Sequence, residues 1–199
     1  MTVFKRKKLN NQKGFSLPEL IVVLLIIAIL IVLALPQLIS SRRAFRFSGV
    51  QRIIAASLSD ARQEAMSQRT PVTVRYSDAT KRIIIHGGNF GAQGDAKNRS
   101  AELTGSGLEQ NELVYGQPGG APSALGDSVT ITALTAGEAV VTFHADGSVI
   151  DAANHPHNNG LFFYNANYPD DMAFAVSVLG AGGRVKIWRY NKNTTSYVE

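Results

Sequence analysis

Sixteen consecutive apolar residues, Leu20–Leu35, dictate most of what this chain can become. Phe15, Ser16 and Leu17 carry the run toward the N-terminus past an interruption at Pro18 and Glu19. A helix rises about 1.5 Å per residue and about 20 residues cross a bilayer, so the segment is long enough to span one. Pro18 fits a first helical turn, where its missing N–H would be unpaired in any case. A buried core helix is excluded, because no soluble domain available to a 199-residue chain could surround sixteen apolar side chains in a row. Glu19 is the anomaly. An ionised acid within a membrane segment costs about 2.5 to 3.5 kcal/mol on insertion scales, so something must neutralise it.

The charge distribution orients the segment. Lys5, Arg6, Lys7, Lys8 and Lys13 precede it with no acid among them, which favours an N-inside topology. Arg42, Arg43 and Arg46 on the far side weaken that preference without reversing it. The formal charge of +5 resides in this leader; the rest of the chain carries 15 basic and 15 acidic residues. General nucleic-acid binding by a uniformly basic body is thereby excluded. The chain has no cysteine, which removes disulfides, thiolate metal sites and a cysteine nucleophile together. A secretory signal peptide shares the basic start, and Val32 with Ala34 offers a weak cleavage site. The apolar run nevertheless exceeds a typical signal core, and a signal peptide gives Glu19 no role.

The stretch Gly14-Phe15-Ser16-Leu17-Pro18-Glu19-Leu20 resembles the type III signal of type IV prepilins and type II secretion pseudopilins. The resemblance covers the first forty residues. It implies that a prepilin peptidase cuts between Gly14 and Phe15 and that Phe15 becomes N-methylphenylalanine. It implies that Glu19 pairs with the new amine of a neighbouring subunit, which makes it an assembly residue, and that Pro36 kinks the helix. Such a pair is favoured in a low-dielectric medium over either ion alone. A glutamate that merely complements the helix start is the plainer alternative.

Beyond Pro36 a second pattern begins. Phe47, Val50, Ile54, Leu58, Ala61 and Ala65 recur at steps of three and four, with Arg52, Ser59, Arg62 and Gln63 off the stripe. This is an amphipathic helix packed on a core, and Pro71 ends it near Gln68. From Leu17 to Gln68 such a helix would extend about 75 Å. Alternation at Val72, Val74 and Tyr76, a turn at 77–80 and the run Arg82–Ile85 predict a hairpin. Residues 87–128 are glycine-rich and polar and are expected to form a variable surface loop. Further strands are expected at Ser128–Ala133, Ala139–Phe143, Gly160–Asn165, Ala173–Leu179 and Arg184–Tyr190. The organisation expected is a basic leader (1–14), a transmembrane segment (15–36), an amphipathic spine (37–70) and a β-rich head (71–199). The fold class is α+β and pilin-like, a long N-terminal helix packed on an antiparallel sheet. "VTFHADGSV" (141–149) and "GAGGRVKIWRY" (180–190) also resemble the GspH/FimT pseudopilins.

Catalytic and metal-binding patterns are not expected. His155 and His157 flank Pro156 and could approach His144, but no acids beside them show a ligand spacing. Asp146-Gly147 reads as a turn without the spacing of a calcium loop, and "GAGGRV" lacks the following helix that a phosphate cradle needs. No cofactor is implied. The local basic cluster is Arg184, Lys186, Arg189 and Lys192, interleaved with Trp188 and Tyr190. On a strand Arg184, Lys186, Trp188 and Tyr190 share one face and Arg189 takes the other. Some FimT-like proteins bind DNA through a basic C-terminal segment, so Arg184, Lys186, Trp188 and Arg189 are candidate nucleic-acid contacts. Asp170 and Asp171 are expected nearby as neutralising acids.

The resulting expectation is a minor pilin or GspH-type pseudopilin. It would be a non-enzymatic subunit of a periplasmic fibre in type II secretion or type IV pilus assembly. Its partners would be prepilin peptidase, other pilin subunits, the inner membrane and exported protein or DNA. The helix would make a single pass of the bacterial inner membrane, with the N-terminus cytoplasmic and the head periplasmic. A DNA-binding minor pilin for DNA uptake and a tethered binding domain that never polymerises are the alternatives.

Overall fold

The apolar run and the amphipathic stripe form one helix, α1 (Leu17–Gln68), in the computed structural model, which describes residues 16–104, 108–151 and 155–199. The helix continues through Pro36. By contacts the chain divides at Arg42/Arg43. In the first unit, Leu17–Leu35 is long and apolar enough to cross a membrane by length and composition, and none of it is buried by protein. Its side chains therefore have no protein core to explain them.

The second unit, residues 43–199, has its own core. The stripe residues Phe47, Val50, Ile54, Leu58, Ala61 and Ala65 are all at most 5% exposed, as an apolar face at helical period requires. Gln51 and Ser57 are buried beside them, which the stripe did not foretell. Arg69 adopts φ 52°, the left-handed conformation that closes a helix, and Pro71 follows it.

Two antiparallel sheets complete the head. The first has strand order β3-β2-β1-β5, with β1 Val72–Ser77, β2 Arg82–Gly87, β3 Arg99–Glu102 and β5 Glu138–Phe143. The second has order β4-β6-β7-β8-β9, with β4 Leu113–Tyr115, β6 Asn159–Asn165, β7 Ala173–Leu179, β8 Arg184–Asn191 and β9 Ser196–Val198. In β1, Val72, Val74 and Tyr76 are buried while the residues between them are half-buried, the signature of a sheet with one face on the core. The β6 and β7 strands are buried on both faces. One face of this second sheet joins the α1 core through Leu161, Phe163, Phe174, Val176 and Val178. The other carries a separate cluster of Leu125, Val129, Phe162, Ala175, Trp188 and Tyr197.

Two sequence expectations are corrected here. Residues 87–128 are not simply a loop: they include β3, which pairs with β2, and β4, which pairs with β6. Leu103, Leu108 and Leu113 tie the segment into the core. Ser128–Ala133 is not a strand. Ser128 sits at φ 62° in a turn closed by its N–H to the carbonyl of Leu125, leaving an isolated bridge between Ala124 and Thr130. The alternating Val129 and Ile131 instead cover the outer face of the second sheet. Gly126 makes this possible, since a Cβ there would stand 3.1 Å from the Trp188 ring.

The β7–β8 turn is held as tightly. Gly180 donates its N–H to Asn158 Oδ1 and accepts from Val149 N, both at 2.8 Å. A Cβ at Gly180 would lie 2.3 Å from the backbone nitrogen of His157. Gly180→Ala is therefore expected to destabilise the head by about 1–3 kcal/mol, read as a lower urea midpoint, because backbone rather than a flexible side chain must yield. An unchanged midpoint would mean that the 155–157 segment moves aside freely.

Candidate functional site

Gly14 and Phe15, the expected processing site, lie outside the described residues. Glu19 falls in the first turn of α1 and is exposed, with no ion-pair partner among the described residues. An acid at a helix N-terminus is favoured by the helix dipole, worth about 0.3–1 kcal/mol at an exposed site. That is too little to offset burial of a carboxylate in lipid, so the helix alone does not solve the problem posed by Glu19.

The C-terminal cluster lies on β8, as the alternation predicted, but the structure changes its meaning. Arg184, Lys186, Trp188 and Tyr190 do share a face; Trp188 packs there with Leu125 and Val129, Tyr190 lies beside Tyr197 of β9, and Arg184 stays exposed. Trp188 is 6% exposed and donates Nε1–H to Ser177 Oγ at 2.9 Å, while the Ser177 hydroxyl donates to Asp127 Oδ2 at 2.8 Å. A ring held in this way is no stacking platform for a base, so Trp188 is corrected from candidate contact to core residue. Lys186 lies 5.2 Å from the Trp188 ring centroid and donates to Glu199 Oε2 at 2.7 Å. Arg184 approaches the same carboxylate at 4.0 Å. The hydrogen bond from Lys186, then the charges of Lys186 and Arg184, hold the Glu199 carboxyl below its ordinary value. Lys192 pairs with Asp170 at 3.1 Å, the neutralisation expected from that acid. Arg189 alone of the cluster is exposed on the opposite face, toward α1, and forms no ion pair among the described residues.

Sequence reasoning missed Glu199 as the partner of Lys186. The signal was present, since Asn191–Thr195 is a turn sequence and Ser196–Val198 returns as β9 to bring residue 199 beside β8. The histidine expectations dissolve into backbone structure: His144 N–H bonds the carbonyl of Ser148, and His157 N–H that of Val149. Asp146 accepts from the backbone N–H and hydroxyl of Ser148, which depress its carboxyl, and Gly147 turns at φ 81°. This is the turn that Asp146-Gly147 announced. No three His, Asp or Glu side chains converge as metal ligands among the described residues.

Comparison with known proteins divides along the same lines as the structure. Residues 9–35 match the family model of the prokaryotic N-terminal methylation motif. Residues 52–182 match that of type II transport protein GspH. Among solved structures, the type IV minor pilin FimU of Pseudomonas aeruginosa (strain PAO1) is similar in two crystal forms, each 17% identical. The TM-score is 0.47 over 77% of this chain and 92% of that one in the first form, and 0.46 over 76% and 97% in the second. No curated protein matches.

Proposed function

The chain belongs to the GspH family of type II transport proteins and is a structural subunit of the minor-pilin and pseudopilin kind, and we propose that it is cut between Gly14 and Phe15, anchored by its apolar helix and built into a short fibre. The single observation that carries this reading is Glu19, a solitary acid in the first turn of an otherwise unbroken apolar span, within the methylation motif. A tether needs no such acid; an assembly does. Cleavage by a prepilin peptidase would free a cationic amine at Phe15, and the amine of one subunit would neutralise Glu19 of the next. Pro36, within α1, would supply the bend that lets successive subunits pack.

In this reading the helix makes a single pass of a bacterial inner membrane, the leader is cytoplasmic and the head is periplasmic. The role is mechanical and recognitional rather than catalytic. Protein secretion is favoured over DNA uptake, because the chain falls in a family of type II transport proteins and because β8 pairs Lys186 with Glu199 and buries Trp188. Mass spectrometry of the membrane-extracted chain is expected to find an N-terminal Phe15 carrying one methyl group. A mature terminus after Ala34 would establish an ordinary secretory signal and overturn the assignment.

A further inference from the structure

We propose that the α1-facing side of β8 is a docking groove for an acidic, extended segment of a partner protein, which adds to the free edge of β8 as a further strand. The groove lies within residues 43–199, so the proposal stands apart from whether the chain enters a fibre.

The edge comes first. β7 pairs with Arg184–Arg189 along one side of β8, whereas β9 covers only Arg189–Asn191 on the other. Arg184–Trp188 therefore have no strand on their outer side among the described residues. Such an edge is a template for another strand unless it is protected.

The side chains around this edge are also incomplete. Val185, Ile187 and Arg189 lie opposite Val178, Val176 and Phe174, which belong to the α1 core, so they point the same way. Val198, opposite Arg189, joins them. Ile187 is 37% exposed although its β7 neighbour Val176 is buried, and Val198 at the sheet edge is 45% exposed. Between this row and the flank of α1 lie two cavities. One, of about 450 Å³, is lined by Ser59, Arg62, Gln63 and Met66 with Arg184 and Val185. The other, of about 190 Å³, includes Phe47, Gln51 and Phe174 with Asp171 and Arg189.

Charge and hydrogen bonding select the occupant. Arg62 and Arg189 have no acidic partner among the described residues. Gln51 Nε2 and Arg62 Nε are buried donors without acceptors. Two acids are close: Asp171 lines the smaller cavity, and Glu199 reaches Arg184 but is held more tightly by Lys186. What the groove lacks is acceptors and apolar cover together. An extended segment whose groove-facing residues, every second one along the strand, include both carboxylates and β-branched side chains supplies both, with its backbone completing the β8 ladder. A lysine-bearing strand would meet Arg62 and Arg189 with like charge.

The test is hydrogen exchange by mass spectrometry on the full chain in detergent, with a synthetic peptide of about eight residues, a typical strand length, that carries Glu and Val in turn at every second position and Thr between them. The expected result is a roughly tenfold or greater slowing of exchange confined to the β8 amides 184–188. The Lys-Val counterpart should give none. Arg189→Glu should abolish the slowing while exchange in β7 stays unchanged, which shows that the variant is folded. Unchanged exchange with the Glu-Val peptide would overturn the proposal. So would slowing that survives Arg189→Glu, or slowing produced by a single-stranded oligonucleotide and not by the peptide.

Discussion

Glu19→Ala is expected to leave the chain inserted in the membrane and cleaved after Gly14, yet to remove it from the fibre. The carboxylate sits in the first turn of α1, at the edge of an apolar span with no protein packed against it. As a monomer the alanine variant should be the more comfortable one in lipid, since an acid in a membrane helix costs up to about 2.5–3.5 kcal/mol. In the fibre the sign reverses. The amine of a neighbouring Phe15 would be left without its counter-charge, and stranding one partner of a buried ion pair costs about 3–5 kcal/mol. At 1.4 kcal/mol per factor of ten, that corresponds to a loss of at least roughly a hundredfold in incorporation. Site-specific crosslinking to other pilin subunits, together with secretion or piliation, is the measurement. Processing is expected to persist, because the scissile bond is five residues away from the altered side chain. A Glu19→Ala strain with normal crosslinking and normal export would show that the acid serves something other than assembly, and the tethered monomer would become the better reading.

The parts of the fold legible in the sequence are those set by local periodicity. Phe47 to Ala65 face the core because steps of three and four residues fix a helical stripe, whatever it packs against. The strands β1, β2 and β5 to β8 were legible for the same reason, through alternation or unbroken apolar runs. β3, β4 and β9 are only three or four residues long, and pairing partners rather than their own pattern make them strands. Ser128–Ala133 failed in the opposite way: its alternation is real, but the turn at Gly126–Ser128 folds it over Trp188 instead of into a sheet. The candidate site was half legible for a related reason. Alternation fixes which β8 residues share a face, and it was right about Arg184, Lys186, Trp188 and Tyr190. It says nothing about which face is covered, and here residues 121–131 cover Trp188 on that one. Arg189, the cation of the cluster that forms no ion pair among the described residues, is consequently on the side that sequence reasoning had set apart.

Phe163→Ala is expected to be the most damaging single truncation in the head. Phe163 is fully buried on β6, and its ring meets three others: Tyr76 edge-on at 5.0 Å, Tyr115 edge-on at 5.2 Å and Phe174 stacked at 5.4 Å. Tyr76 belongs to the first sheet while Tyr115 and Phe174 belong to the second, so this ring joins the two sheets under α1. Removing a buried phenylalanine costs about 3–5 kcal/mol, part transfer and part cavity. The upper end applies here because the neighbours cannot collapse into the hole. Tyr76 is tethered by its hydroxyl to Asp78 at 2.9 Å, and Tyr115 by its hydroxyl to the carbonyl of Thr132 at 2.6 Å. Burial, above all, pushes both phenols well above their ordinary pKa, so neither can gain a charge to draw water in at physiological pH. Against a domain stability of about 5–15 kcal/mol the loss is large enough to leave the head partly unfolded at growth temperature. Denaturant unfolding of the full chain in detergent reads it directly, and Phe163→Leu, which restores most of the volume, should cost less than about 1.5 kcal/mol. A loss below about 1 kcal/mol for the alanine variant would mean that the aromatic cluster repacks and that the sheets are joined elsewhere. Because Phe163 is remote in sequence from Gly14, its loss should leave cleavage and N-methylation intact, whereas Glu19→Ala should leave the unfolding midpoint intact. A variant that moved both readouts would show that folding of the head and assembly of the helix are not separable in this chain.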